Sequence, residues 1–132
     1  MADETTAGKI ILVVADIEET RDGIERLLTA DGYGILSARE EQDAIAKARR
    51  EHPHLILLSL DSLHFDVTAI GRRIRKSAAL SDVVPVVVFC IPTLAEGAEM
   101  EIGINTYVLH PDNFDQLRTF LGRLFQPVPT AS

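Results

Sequence analysis

A chain of 132 residues, 46% hydrophobic and 25% charged, has the size and balance of one globular domain that closes its own core without covalent staples. A formal net charge of −7 argues against a nucleic-acid backbone as the main partner, and one cysteine, Cys90, rules out an internal disulfide. No apolar run reaches the roughly 20 residues of a membrane-spanning helix, and the polar, acidic opening MADETTAGK lacks the layout of a signal peptide, so the expectation is a soluble, cytoplasmic protein.

Ile10 to Val14 is an apolar, β-branched run that closes on Ala15 and Asp16 and predicts a buried strand. From Ile17 the period changes: Ile24, Leu27 and Leu28 recur at helical spacing until Asp31 and Gly32 stop the helix. GILSA predicts a short second strand. EEQDAIAKARREH predicts a helix with Ala44, Ile45 and Ala48 as its buried stripe and Pro53 as its stop, and LILLS, Leu55 to Ser59, a third strand. VTAIGRRIRKSAAL reads as a helix that Gly71 weakens, with Arg72, Arg73, Arg75 and Lys76 as a solvated face. VVPVVVFC is a fourth strand, with Pro85 near its start. TLAEGAEMEIGIN reads as a fourth helix despite Gly97 and Gly103, and TYVL as a fifth strand ending at His110 and Pro111. A last helix runs from about Asp112 to Phe125 and buries Phe114, Leu117, Leu121 and Leu124; PVPTAS is a tail. His52, His54 and His64 have no ligand spacing and are expected in exposed loops.

The first and third strands are apolar throughout instead of alternating, as strands covered by helices on both faces are. Five strands alternating with five helices predict an α/β, flavodoxin-like (βα)5 fold: a doubly wound parallel five-stranded sheet of order 2-1-3-4-5. The domain is expected over 9–126, with 1–8 and 127–132 as tails. Ligands of such sheets bind beyond the carboxyl ends of the strands, which singles out Asp16, Ser59, Cys90 and His110.

Four segments, KIILVVADIEETRDGIERLLTADGY, AREEQDAIAKARREHPHLILL, SAALSDVVPVVV and TYVLHP, stand in an order and spacing that resembles the receiver domain of bacterial response regulators, from about Lys9 to Phe125. In that family two acids follow the first strand and bind Mg2+, and an aspartate ending the third accepts a phosphoryl group. A Thr or Ser ending the fourth strand and a Lys ending the fifth hold the phosphoryl oxygens. By position, the resemblance puts Ala15 and Asp16 at the acidic pair, Ser59 at the acceptor, Cys90 at the hydroxyl and His110 at the lysine, with Pro111 kept. The loop after the third strand also departs, with Leu63 for the usual Pro and Val67 for the usual Gly.

Each replacement has a chemical consequence. Phosphoryl transfer to a carboxylate needs an anionic acceptor beside Mg2+ and cations for the moving oxygens, and Ser59 supplies no carboxylate. Asp16, helped by Asp61 through the backbone carbonyl that the family uses at that position, makes at most a weak, vestigial Mg2+ site, so no cofactor is expected. An unperturbed imidazole at His110 is mostly neutral at pH 7. The resemblance therefore implies a degenerate pseudo-receiver, not an enzyme: a phosphorylation-independent protein-interaction module in two-component signal transduction.

The family's switch aromatic survives as Tyr107, which points to the face of the fourth helix, fifth strand and fifth helix for an unidentified signalling partner or a homodimer. Glu96, Glu99 and Glu101 on that face favour a basic partner, and neither nucleic acid nor membrane is expected. Two alternatives stand beside this reading. One is a divergent receiver phosphorylated on Asp61 or Asp66; the other is a small metal-binding or catalytic protein using Cys90 and His110.

Overall fold

The computed structural model describes residues 9–60, 64–89, 98–110 and 114–125. In chain order they form β1 (Ile10–Ala15), α1 (Glu18–Ala30), β2 (Gly34–Ala38), α2 (Glu41–Glu51), β3 (Leu55–Ser59), α3 (His64–Ser77), β4 (Val86–Phe89), β5 (Ala98–Gly103), β6 (Thr106–His110) and α4 (Phe114–Phe125). The strands make one sheet of order β2-β1-β3-β4-β6-β5. Every neighbouring pair is parallel except the last, where β5 runs antiparallel to β6. The flavodoxin-like α/β class is as expected, with β6 in the place of the fifth parallel strand.

The continuous apolar runs have the predicted cause. Leu12, Val14, Ile56, Leu58, Val86 and Val88 face a layer that contains Ala44, Ile45 and Ala48 of α2 and Val67 and Ile74 of α3. Their neighbours Ile11, Val13, Leu55, Leu57, Val87 and Phe89 face Ile24 and Leu28 of α1 and Leu117 and Leu121 of α4. A strand buried on both sides has no polar face to show. Helix α1 stops as its sequence predicts: Gly32 takes the left-handed conformation at φ 95, and the Tyr33 N–H returns to the Leu28 carbonyl.

One element differs in kind. Ala98–Gly103 is a strand, not part of a fourth helix; 93–97, the start of that predicted helix, lie outside the described residues. Met100 stands opposite Val108 and Glu101 opposite Tyr107, and a two-residue turn at Ile104–Asn105 joins the strands, with Asn105 at φ 48. Asn is among the few non-glycine residues that tolerate this region. Its side-chain amide donates to the Asp82 and Val83 carbonyls at 3.0 and 2.9 Å, tying the hairpin to the loop before β4.

The basic run on α3 differs as well. Arg75 is not solvated but 6% exposed. Its guanidinium donates to the carbonyls of Val84 at 3.0 Å, Ile104 at 3.1 Å and Asn105 at 3.4 Å, and lies 3.7 Å from the Asp82 carboxylate. Arg73 grips Glu41 of α2 with two bonds of 2.8 Å. Nor is His54 merely a loop residue: exposed though it is, its Nδ1 accepts the Ile10 N–H at 3.0 Å and its own N–H donates to the Ile10 carbonyl. His64 opens α3.

Candidate functional site

Because β1 and β3 are adjacent and the chain builds outward from them in both directions, their carboxyl ends form the crevice at which such sheets bind ligands. The register there sets Ala15 directly beside Ser59. Ala15 is fully buried and its carbonyl accepts a hydrogen bond from Arg21 Nη1 at 2.8 Å; Ser59 is half-buried. Further along the same edge, Phe89 pairs with Leu109, so β6 reaches His110 beside the end of β4. The predicted site residues Asp61 and Cys90 lie outside the described residues, as does the side chain of His110.

Asp16 emerges exposed just past β1. With Arg39, Glu40 and Asp43 it lines an open cleft of about 430 Å3. The last three were not singled out from the sequence. The segment AREEQD carried a usable signal, since a second strand next to the first must deliver its following loop to the same edge. Three carboxylates and one guanidinium make this cleft acidic. Among the described residues, however, no three His, Cys, Asp or Glu side chains converge as ligands of a metal ion. Asp66, an alternative acceptor, is exposed in the first turn of α3.

Tyr107 is half-buried on β6. Its ring meets Phe120 of α4 edge-on, with centroids 5.5 Å apart at 76°, and its hydroxyl donates to Asn105 Oδ1 at 3.0 Å. Burial, and then the negative charge of Glu101 across the strand pair, push its phenol above the usual range. The aromatic therefore joins three parts: its own strand, the β5–β6 turn and α4. The face expected around it changes accordingly, because its described elements are β5, β6 and α4.

No family model matches the chain. In sequence it is 27% identical over 123 residues to a probable transcriptional regulator, ycf27, of Porphyridium aerugineum, a match covering 92% of this chain and 50% of that protein. The ycf27 protein of Pyropia yezoensis is 29% identical over 102 residues, covering 76% of this chain and 41% of its own length. The chain thus spans half or less of these curated relatives. Among solved structures it resembles the signal receiver domain of a signal transduction histidine kinase from Syntrophus aciditrophicus, with a TM-score of 0.69, 18% identity and coverage of 95% and 96% of the two chains. The receiver domain of a sensor histidine kinase from Pseudomonas aeruginosa gives a TM-score of 0.64 at 24% identity, covering 90% and 98%. That structure holds a magnesium ion in its active-site cleft. These likenesses show the fold. They lend nothing to a metal-binding or catalytic protein built on Cys90 and His110.

Proposed function

We propose that this chain, a receiver domain of the response-regulator kind by its fold and its relatives, and so a signalling module and not an enzyme, binds its signalling partner without being phosphorylated. One observation carries the reading. Ser59 ends β3 in register with Ala15, at the two positions where the family resemblance calls for the acceptor aspartate and a metal-binding acid. A serine hydroxyl beside an alanine methyl offers neither the anionic nucleophile nor the metal ligands that carboxylate phosphorylation uses. Asp16, Ser59, Cys90 and His110 are then remnants of a phosphorylation site. What works is the surface around Tyr107, in the cytoplasm. A homodimer through that surface belongs to the same reading, with β5 in place of the expected helix.

The test is chemical. Incubated with acetyl phosphate and Mg2+, the protein should keep its unmodified intact mass; a stoichiometric, acid-labile phosphoryl group mapped to any aspartate, Asp61 and Asp66 included, overturns the proposal. Calorimetry should likewise find only weak Mg2+ binding. Micromolar affinity that disappears in Asp16→Ala would count against it.

A further inference from the structure

Strand β5 is the last in the sheet order, so one of its edges pairs with β6 and the other meets no strand among the described residues. Such an edge turns alternate backbone N–H and C=O groups outward, ready to pair with another extended segment. Met100 on this strand is 49% exposed, Glu101 beside it is exposed, and Ile104 in the adjoining turn is 70% exposed. The strand AEMEIG contains two glutamates and no basic residue; Arg72 of α3 lies against its Gly103 end.

These features discriminate between occupants. Antiparallel pairing of two copies about Met100 would set Glu99 of each strand against Glu101 of the other, like charges directly opposite, which destabilises a strand pair. A segment with Lys or Arg at alternate positions meets the same glutamates favourably, and apolar residues between them cover Met100. We infer that β5 is the docking edge for a basic, extended segment of the partner protein, added as a further strand of the sheet. The segment would abut Glu101, which stands opposite Tyr107, so docking there touches the surface named above. The inference rests on the partner-binding reading and gives that partner its form.

Acetyl-Lys-Val-Lys-Val-Lys-Val-amide, titrated into the 15N-labelled chain of 132 residues, tests it. Amide shift changes should cluster on 98–110, and Glu101→Lys should weaken binding about fivefold or more. The same peptide built from alternating D and L residues keeps its charge but loses strand geometry, and should bind about tenfold more weakly. No binding leaves the glutamates as guards against aggregation and overturns the inference. Equal binding of the D,L peptide, shifts mapped elsewhere, or concentration-dependent shifts on β5 without peptide, the mark of self-pairing, overturn it too. Intact mass after phosphodonor treatment judges the parent reading separately: an unphosphorylated chain that ignores the peptide loses only the docking edge, and a phosphorylated chain that binds it loses only phosphorylation independence.

Discussion

Arg75 shows how one side chain can hold a fold together from a run of residues that reads as surface. Its guanidinium serves carbonyls at the amino ends of β4 and β6, that of Val84 before the one and those of Ile104 and Asn105 before the other, in a place where it is 6% exposed. Removing it takes the guanidinium donor from the half-buried Val84 carbonyl, whereas the Ile104 and Asn105 carbonyls keep bonds from Thr106 Oγ1 and the Val86 N–H; one stranded acceptor costs about 1–3 kcal/mol. Arg75→Met should therefore lower stability by about 1–3 kcal/mol in urea unfolding, and Arg75→Lys should recover less than half of that, since one ammonium nitrogen cannot stand where both Nη1 and Nη2 do. His54 acts through protonation. Its Nδ1 accepts the Ile10 N–H, which only an imidazole unprotonated at that nitrogen can do, and burial, followed by the Lys9 charge, lowers its pKa. The unfolded imidazole takes its proton near pH 6.5 and the folded one only at lower pH. Acid thus favours the unfolded chain: the contribution is complete above about pH 6.5 and fades as the pH falls below it. In His54→Asn the amide oxygen can replace Nδ1 as acceptor without titrating, so stability between pH 7 and 5 should depend less on pH, as followed by thermal unfolding.

Between elements, helix and sheet come close together under Gly71. A Cβ there would stand 2.4 Å from Val86 Cγ1 and 2.9 Å from Leu58 Cδ1, so α3 rests almost directly on β3 and β4. Ala gains about 1 kcal/mol over Gly in helix propensity, but forcing a methyl into a packed core costs about 1–3 kcal/mol. Gly71→Ala should be net destabilising by about 1 kcal/mol, whereas Gly23→Ala on α1, where nothing lies within 4 Å, should stabilise by about 0.5–1 kcal/mol. Paired urea titrations decide both. Gly71 thus weakens the helix as read locally while enabling its packing, a fact visible only once the sheet is in place. The other helices and the parallel strands were legible because their apolar residues carry an unambiguous period: Ala44, Ile45 and Ala48 line one helical stripe, and 10–14 and 55–58 have no polar face at all. Strand β5 was hidden by the opposite condition. AEMEIG has only Met100 and Ile102 to mark alternation, and the family pattern places a helix there; the cue in the sequence is Asn105, a left-handed turn residue immediately before TYVL. At the site, Asp16 and Ser59 were found by position at strand ends, whereas Arg39, Glu40 and Asp43 reach the cleft only through the adjacency of β1 and β2.

For the molecule as a whole, the proposed reading distributes the missing chemistry over one edge of the sheet, and that would make its loss hard to reverse one residue at a time. Ser59→Asp alone should leave the chain unphosphorylated by acetyl phosphate, whereas Ala15→Asp, Ser59→Asp, Cys90→Thr and His110→Lys together should restore acid-labile phosphorylation. The four positions are contributed by β1, β3, β6 and the residue after β4, and the proposed reading has them act on one charge: acids would hold Mg2+, metal and lysine would offset the phosphoryl oxygens, and the hydroxyl would fix the product. Groups that share a charge network are not additive, so an acceptor without its metal and cation recovers little of the rate. The single variant should also lose about 1 kcal/mol of stability. It sets a carboxylate at the end of β3, beside the fully buried Ala15 and near Asp16, with no lysine to balance it, and like charges at short range disfavour ionisation. In the combined variant the Asp introduced at position 15 lies close to Arg21, whose Nη1 already bonds the carbonyl of that residue, so the added negative charge has a cation at hand. Intact mass read at matched times for both proteins separates the outcomes. Ready phosphorylation of Ser59→Asp alone would mean that Asp16 and the residues around it still assemble a metal site, and the chain would then be a receiver silenced by a single substitution.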